Sequence, residues 1–166
     1  MQVQIALLTV TDTRTFETDK SGSILVEKIK EQNHKLIDRK LVKDEKKLIK
    51  KILSDWIKKD NIDVIITTGG TGLTGRDITP EAIKDLADKE IPGFGELFRE
   101  LSYKTVGTSA MQSRACAVLA NGKYIFALPG SSGGVKDAWD GILKYQLDIN
   151  HKPCNFVELF PRLKEK

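Results

Sequence analysis

Apolar runs alternate with segments of helical periodicity along most of this chain. Residues 3–10, VQIALLTV, are nearly all apolar, as expected of a strand buried on both faces of a sheet. Similar runs predict strands at 64–67 and 123–128, and the mixed apolar and polar residues at 35–42 predict a more exposed strand. Helical spacing predicts helices at 21–32, 44–57, 79–89, 95–103, 111–119 and 135–145, followed by an irregular tail at 147–166.

Alternating strands and helices require crossover connections, and therefore a mainly parallel sheet covered on both sides. The 166 residues, 40% hydrophobic and 30% charged, suit one domain spanning residues 1–166. Ser21, Asp44 and Thr79 stand at the starts of three predicted helices and are expected to cap them. Trp56 and Trp139 fall on apolar helical faces, which predicts that both lie in the core.

Composition excludes several classes of function. The net charge of +4 suits an anionic ligand or simply aids solubility, but it is too small to indicate a nucleic-acid partner. Two cysteines, Cys116 and Cys154, and two isolated histidines, His34 and His151, do not form a zinc pattern. The cysteines are expected to be free thiols. With neither a signal-peptide pattern nor an apolar run that could span a membrane, we expect a cytoplasmic protein.

Polar or glycine-rich segments follow three of the predicted strands. They are Thr11-Asp12, residues 69–77 and residues 129–134. In open parallel sheets, ligands bind in the crevice beyond the carboxyl ends of the strands. We therefore expect the functional residues to lie in these three loops.

The glycine-rich loop, TTGGTGLTGRD at residues 67–77, holds four glycines within seven residues. Glycine has no Cβ, so successive amides can turn toward an anion. The Gly-Lys-Ser/Thr ending of a P-loop is missing, and the loop does not lead directly into a helix as a dinucleotide fingerprint does. Spacing alone favours a tight structural turn and a ligand loop equally.

Asp77 and Asp44 are candidate magnesium ligands at the same predicted edge of the sheet. Mg²⁺ uses few protein carboxylates and completes its coordination with water and phosphate oxygens, so two aspartates suffice. The alternatives are an ordinary loop acid for Asp77 and a helix cap for Asp44. Glu81 is either a ligand contact or the first-turn acid that any helix favours.

Two arginines, Arg76 and Arg114, are candidates for pairing with phosphate, whereas Arg39 and Arg99 are expected at the surface. The sequence does not suggest a Ser-His-Asp or Cys-His set near these loops, which disfavours covalent catalysis. Phosphoryl or nucleotidyl transfer requires mainly positioning and charge neutralisation. Glycine amides and metal-bound aspartates can provide both.

Several motifs together resemble the molybdopterin-binding family of molybdenum cofactor biosynthesis. They are TTGGTG at 67–72, RDITPEA at 76–82, IPGFGE at 91–96, DKSG at 19–22, QSR at 112–114 and ALPGS at 127–131. The resemblance covers nearly the whole chain. It implies a three-layer α/β/α sandwich that assembles as a trimer or a dimer of trimers.

The resemblance also implies a function. Active members bind molybdopterin and transfer AMP to its terminal phosphate from Mg-ATP. Their two metal-associated aspartates match Asp44 and Asp77. The segments that hold pterin and phosphate imply substrate-binding roles for Thr11, Asp12, Ser21, Gly22, Gly69, Gly70, Thr71, Gly72, Thr79, Glu81, Pro129, Gly130 and Ser131. Other proteins of molybdenum cofactor biosynthesis are the expected macromolecular partners.

One motif departs from the adenylyltransferase pattern. That branch has a second proline shortly after the Pro-Gly, whereas this chain has Ser132 in PGSSGG. The sequence therefore resembles the MoaB branch, across which adenylyl transfer is not established. Two hypotheses follow: a molybdopterin adenylyltransferase, or a molybdopterin-binding carrier without catalysis. A third, an unrelated nucleotide-phosphate binder on the same fold, remains open because a fold does not determine a function.

Overall fold

A six-stranded sheet forms the centre of the molecule in the computed structural model, which describes residues 1–165. The strands are β1 Gln4–Val10, β2 Lys35–Val42, β3 Val64–Thr68, β4 Lys89–Glu90, β5 Cys116–Ala120 and β6 Lys123–Leu128. Their order is β2-β1-β3-β6-β5-β4. The first four are mutually parallel, and two antiparallel pairings add β5 and β4. The predicted mainly parallel sheet is confirmed.

Helices cover both faces of the sheet. They are α1 Lys20–Glu31, α2 Lys46–Ile57, α3 Thr79–Lys84, α4 Pro92–Val106, α5 Ser132–Ala138 and α6 Lys144–Gln146. A π-helical segment, Trp139–Leu143, joins α5 to α6, and 3₁₀ segments lie at Gly107–Gln112 and Val157–Arg162. No helix within residues 1–165 has the length and apolar character needed to cross a bilayer.

Alternation along the strands divides the core into two layers. In β1, Ile5 and Leu7 face α1, α4 and α5, whereas Ala6 and Leu8 face α2 and α3. This gives the three-layer α/β/α arrangement. Trp139 is buried in the first layer and Trp56 in the second, as predicted.

The predicted helix at 111–119 is wrong. The segment ends a 3₁₀ turn at Gln112 and then forms β5, which pairs antiparallel with β6 from Cys116↔Ala127 to Ala120↔Lys123. Asn121 and Gly122 join the two strands, with φ of 49° and 73°. Asn-Gly is the dipeptide that favours a hairpin turn with both φ values positive, so the sequence did hold a signal for this hairpin.

The helix starts also differ from prediction. Asp19, not Ser21, caps α1, because its carboxylate accepts from the Gly22 amide at 3.0 Å. Glu45 rather than Asp44 precedes α2, and Ile78 rather than Thr79 precedes α3; neither cap makes a side-chain hydrogen bond. The helix predicted at 79–89 ends at Lys84, and Lys89 and Glu90 form β4 instead.

Candidate functional site

The three predicted loops meet at one edge of the sheet because β1, β3 and β6 are adjacent and parallel. The Gly69 amide donates to the Leu128 carbonyl at 3.0 Å, and Thr68 Oγ1 donates to the Pro129 carbonyl at 2.8 Å. The Thr11 amide donates to the Val42 carbonyl at 2.8 Å, which brings the end of β2 to the same edge.

The glycine-rich loop packs so closely that two of its glycines have no room for a side chain. Gly69 and Gly70 have φ of 100° and 68°. A Cβ on Gly69 would lie 2.2 Å from the Val10 carbonyl oxygen, and one on Gly70 would lie 2.3 Å from Thr79 Oγ1 and 3.1 Å from Asp44 Oδ1. Backbone conformation and packing therefore both require glycine at these positions.

Thr79 connects the loop to α3 instead of capping that helix. Its hydroxyl donates to the Gly69 carbonyl at 2.9 Å, and its amide donates to the Gly70 carbonyl at 3.0 Å. Thr71 is buried beside it. These bonds fix the first half of the loop against the start of α3.

Asp77 folds back onto its own loop. Its Oδ2 accepts hydrogen bonds from the Thr74 amide at 2.9 Å and from Thr74 Oγ1 at 2.8 Å, and it lies 2.7 Å from the position that a Cβ on Gly72 would occupy. Burial opposes ionisation of this carboxyl, but hydrogen bonds, chiefly those from Thr74, and the charge of Arg114 together lower the pKa of Asp77. Asp77 is therefore held as an oriented carboxylate.

Asp44 has the opposite electrostatic setting. Burial, followed by the negative charges of Asp12 and Asp77, raises the pKa of Asp44 above its ordinary value. The Asp44 amide donates to Asp12 Oδ1 at 3.1 Å, and the Asp12 carboxylate accepts two bonds from Arg76, at 2.9 and 3.0 Å. Arg76, predicted to bind phosphate, thus pairs with an aspartate at the rim of the site.

The carboxylates do not form a complete metal cage. Within residues 1–165, no group of three or more His, Cys, Asp or Glu side chains is arranged to hold a metal ion. Asp44 and Asp77 flank Gly70 and Gly72 of the same loop, and both offer hard oxygen ligands. This donor set suits an ion that also takes water and phosphate oxygens.

Arg114 donates hydrogen bonds both to the glycine-rich loop and to α3. Its Nε donates to the Gly72 carbonyl at 2.7 Å, its Nη2 to the Asp77 carbonyl at 3.0 Å, and its Nη1 to the Glu81 carboxylate. Burial opposes ionisation of Glu81, but the hydrogen bond and charge of Arg114, the backbone and the charge of Lys46 together lower the pKa of Glu81. Arg114, a sequence candidate for pairing with phosphate, donates from all three side-chain nitrogens to the loop and to α3.

Arg14 contacts residues of the loops after β1 and β6 at the carboxyl edge of the sheet. Arg14 Nη1 donates to Ser21 Oγ at 2.9 Å and to the Gly130 carbonyl at 3.1 Å, which links the loops after β1 and β6. Thr11 Oγ1 accepts from the Arg14 amide at 3.1 Å. Ser131 caps α5 by accepting from the Gly134 amide at 3.1 Å. No sequence pattern indicates this role for Arg14, because Gly130, the partner that links it to the loop after β6, is 116 positions away.

Asp19 was also missed as a site residue. It is fully buried, accepts from Thr9 Oγ1 at 2.6 Å and pairs with Arg39 at 3.0 Å, so Arg39 is not the surface residue that was expected. Gly22 is buried against it. Burial opposes ionisation, but these hydrogen bonds outweigh it and lower the pKa of Asp19. The Asp-Lys-Ser-Gly sequence carried the signal, as an aspartate just before a helix.

A cavity of about 540 Å³ opens beside residues 129–134, between α4 and α5. Its lining includes Phe98, Ser102, Val106, Pro129, Ser131 and Gly134. A second cavity, of about 440 Å³, lies between α3, α4 and β5 and is lined in part by Glu81, Arg114 and Cys116. Both volumes lie within the range of small-molecule sites.

The chain is similar to one family model and to curated proteins that share one name. The family model described as "probable molybdopterin binding domain" matches residues 6–148. The chain is 45% identical over 162 residues to molybdenum cofactor biosynthesis protein B of Escherichia coli K12, covering 98% of this chain and 94% of that protein. It is 50% identical over 149 residues to the protein of the same name from Staphylococcus aureus MRSA252, covering 88% of each chain.

Solved structures agree on the fold. A crystal structure of molybdenum cofactor biosynthesis protein B superposes with a TM-score of 0.89 at 41% identity, covering 100% of this chain and 98% of that chain. Because the family model matches most of the chain and the similarity extends over nearly its full length, this chain belongs to the molybdopterin-binding family of molybdenum cofactor biosynthesis.

Proposed function

We propose that this protein acts in molybdenum cofactor biosynthesis by binding molybdopterin and transferring AMP from Mg-ATP to its terminal phosphate. The observation that carries the proposal is the convergence of Asp44 and Asp77 on Gly70 and Gly72 of one loop. Family membership supports molybdopterin as the ligand. The carboxylate pair supports a metal-bound nucleotide as the second substrate.

The site residues fit magnesium. Asp44 is a half-buried carboxyl whose pKa is raised by burial and by two neighbouring carboxylates, so a nearby cation would relieve this repulsion. Asp44 and Asp77 would hold the ion. When bound, Mg²⁺ neutralises charge on the ATP phosphates.

The side chains at the edge supply positioning rather than a base. Adenylylation joins a terminal phosphate oxygen of molybdopterin to the α-phosphorus of ATP, and pyrophosphate leaves. A phosphate monoester is largely ionised near neutral pH, so it needs no general base. This agrees with the positions of His34, just before β2, and His151, in the C-terminal segment, both away from the carboxyl edge. Arg14, which joins the loops after β1 and β6, supplies positive charge beside Ser21 and Gly130.

The test is AMP transfer from ATP to molybdopterin by the wild type, Asp44→Ala and Asp77→Ala. We expect each substitution to lower kcat/KM by at least about 100-fold, because a metal-bound substrate loses a ligand carboxylate. An exposed carboxylate on α2, Asp55, supplies the matched control Asp55→Ala, which should keep wild-type transfer. Transfer that neither aspartate substitution reduces would remove the proposed metal role.

A carrier without catalysis is the second candidate, favoured by Ser132 in place of the second proline. Ser132 begins α5 directly after the Ser131 cap. The carrier hypothesis predicts tight molybdopterin binding with no release of pyrophosphate from ATP. Turnover by the purified protein would exclude it. Titration with molybdopterin and with free nucleotides separates both candidates from an unrelated nucleotide-phosphate binder, which would bind nucleotide but not molybdopterin.

A further inference from the structure

We propose that Arg114 is a positioning residue that fixes Asp77 and the glycine-rich loop in the geometry required for metal-nucleotide binding. Arg114 lies 37 positions from Asp77 in the sequence, between the 3₁₀ segment Gly107–Gln112 and β5. The inference rests on the proposed function for its consequence, but the ordering of the loop can be tested independently.

Four contacts join Arg114 to the loop and to α3. Its own amide donates to the Thr71 carbonyl at 2.9 Å, and its side chain donates to the carbonyls of Gly72 and Asp77 and to the Glu81 carboxylate. All three side-chain nitrogens therefore donate to the protein. Arg114 holds the two ends of the loop segment 71–77 at a fixed separation.

The contacts of Arg114 also bear on the Asp77 carboxylate. Its Oδ2 accepts from the amide and the hydroxyl of Thr74, at 2.9 and 2.8 Å, and lies 2.7 Å from the position that a Cβ on Gly72 would occupy. Gly72 in turn is held by Arg114 through its carbonyl. Asp77 is thus fixed at its carbonyl by Arg114 and at its carboxylate by Thr74, and it packs against a glycine that Arg114 also holds.

The segment that carries Arg114 is itself fixed to α4. Arg99 Nη1 donates to the Ser113 carbonyl at 3.3 Å and to the Ala115 carbonyl at 3.1 Å, the residues on either side of Arg114. Arg99 was expected at the surface, and instead it braces this segment. A continuous set of contacts therefore runs from α4 through Arg114 to Asp77.

Guanidinium geometry is required for this role. A planar fork can donate from three nitrogens to three acceptors in fixed directions, whereas the ammonium of lysine is one flexible point charge. Arg114→Lys keeps the positive charge near the site and removes the fork. The substitution therefore separates positioning from simple attraction of an anion. Arg162→Lys is the matched control, because Arg162 makes an exposed pair with Glu165 on the C-terminal 3₁₀ segment.

The experiment compares wild type, Arg114→Lys and Arg162→Lys in the full chain. Hydrogen exchange is followed at the amides of Thr74, Asp77 and Thr79, each of which donates a hydrogen bond in or beside the loop. We expect Arg114→Lys to speed exchange at these three amides by about tenfold or more and to leave β1 amides unchanged. Mn²⁺, titrated by electron paramagnetic resonance in the presence of ATP, should bind about 10–100-fold more weakly.

The possible outcomes are distinct. Wild-type exchange at the three amides with wild-type Mn²⁺ affinity would overturn the proposal. So would faster exchange throughout the molecule with unchanged Mn²⁺ affinity, which indicates only lower global stability. If Arg114→Lys does not fold, Glu81→Gln decides by the same two measurements: faster exchange at the three amides with weaker Mn²⁺ binding supports the role of Arg114, and wild-type values oppose it. If wild type transfers no AMP, the proposed enzyme activity fails, whereas the exchange and Mn²⁺ comparisons still decide the role of Arg114.

Discussion

Asp44 and Asp77 lie beside the same loop, but their surroundings shift their pKa values in opposite directions. Asp77 receives hydrogen bonds from Thr74 that favour its ionised form, whereas Asp44 is half-buried and faces the carboxylates of Asp12 and Asp77. A partly desolvated carboxylate beside two others costs stability in the unliganded protein. Sites that bind cations commonly contain this kind of unfavourable charge, because ligand binding relieves it.

Asp44→Asn is therefore expected to stabilise the unliganded protein. A carboxyl whose pKa is higher in the folded state binds its proton more tightly there, so its contribution to the free energy of unfolding falls as pH rises from 3.8 through the folded pKa. At pH 7 the substitution removes this cost, and we expect Tm to rise by about 1–3 °C without divalent ions. As pH falls through 3.8 the difference in Tm should shrink toward zero, since the carboxyl becomes increasingly protonated in both states.

Differential scanning calorimetry at pH 7 and pH 3.5 measures this difference, with Asp55→Asn as the control. Addition of Mg-ATP should raise the Tm of the wild type and not that of Asp44→Asn. A lower Tm for Asp44→Asn at pH 7 without divalent ions would show that Asp44 is a net stabilising residue, contrary to the expectation.

Strands, helices and ligand loops differed in how well the sequence predicted them. The runs at β1 and β6 are apolar on both faces, so their burial in a parallel sheet was predictable. β5 was not recognised, because CAVLA is short and only its pairing with β6 through the Asn121-Gly122 turn distinguishes it from a helix. The loops at the carboxyl edge followed from topology. The side-chain contacts of Arg114, and the contact between Arg14 and Gly130, could not be predicted in this way. They join residues that are 33 to 42 positions apart for Arg114 and 116 positions apart for Arg14.

Gly70→Ala tests whether the glycine-rich loop depends on its left-handed backbone. An alanine at φ of 68° is strained, and its Cβ would lie 2.3 Å from Thr79 Oγ1, the hydroxyl that binds the Gly69 carbonyl. We expect the free energy of unfolding to fall by about 2–4 kcal/mol. Urea unfolding measures it. Gly75→Ala is the control within the same loop, since its Cβ would meet nothing within 4 Å, and it should change stability by less than about 0.5 kcal/mol. Equal losses for the two variants would contradict this account.

At the scale of the molecule, the sheet divides the candidate site into two halves. Asp44, Asp77 and Glu81 lie on the side of α2 and α3, whereas Ser131 and the 540 Å³ cavity lie on the side of α4 and α5. The glycine-rich loop after β3 runs between them, because β3 is flanked by β1 and β6. This arrangement supports the proposed reaction between two phosphate-bearing substrates, since each can approach from its own side and meet at the loop.

Self-association of the whole molecule is the final prediction. Tyr103 and Val106, three residues apart on α4, are 61% and 52% exposed, and Met111 in the following 3₁₀ segment is 80% exposed. Residues three apart share a helix face, so the two side chains near the end of α4 form an apolar surface that a second copy of the chain can cover.

We expect sedimentation equilibrium to give three or six chains for the wild type. The double variant Tyr103→Lys/Val106→Lys should sediment as a smaller species, because two charges placed in an apolar interface would lose their hydration. Leu48→Lys, at a 38% exposed leucine on α2, is the control and should keep the wild-type mass. A wild-type mass for the double variant would exclude this end of α4 from the interface.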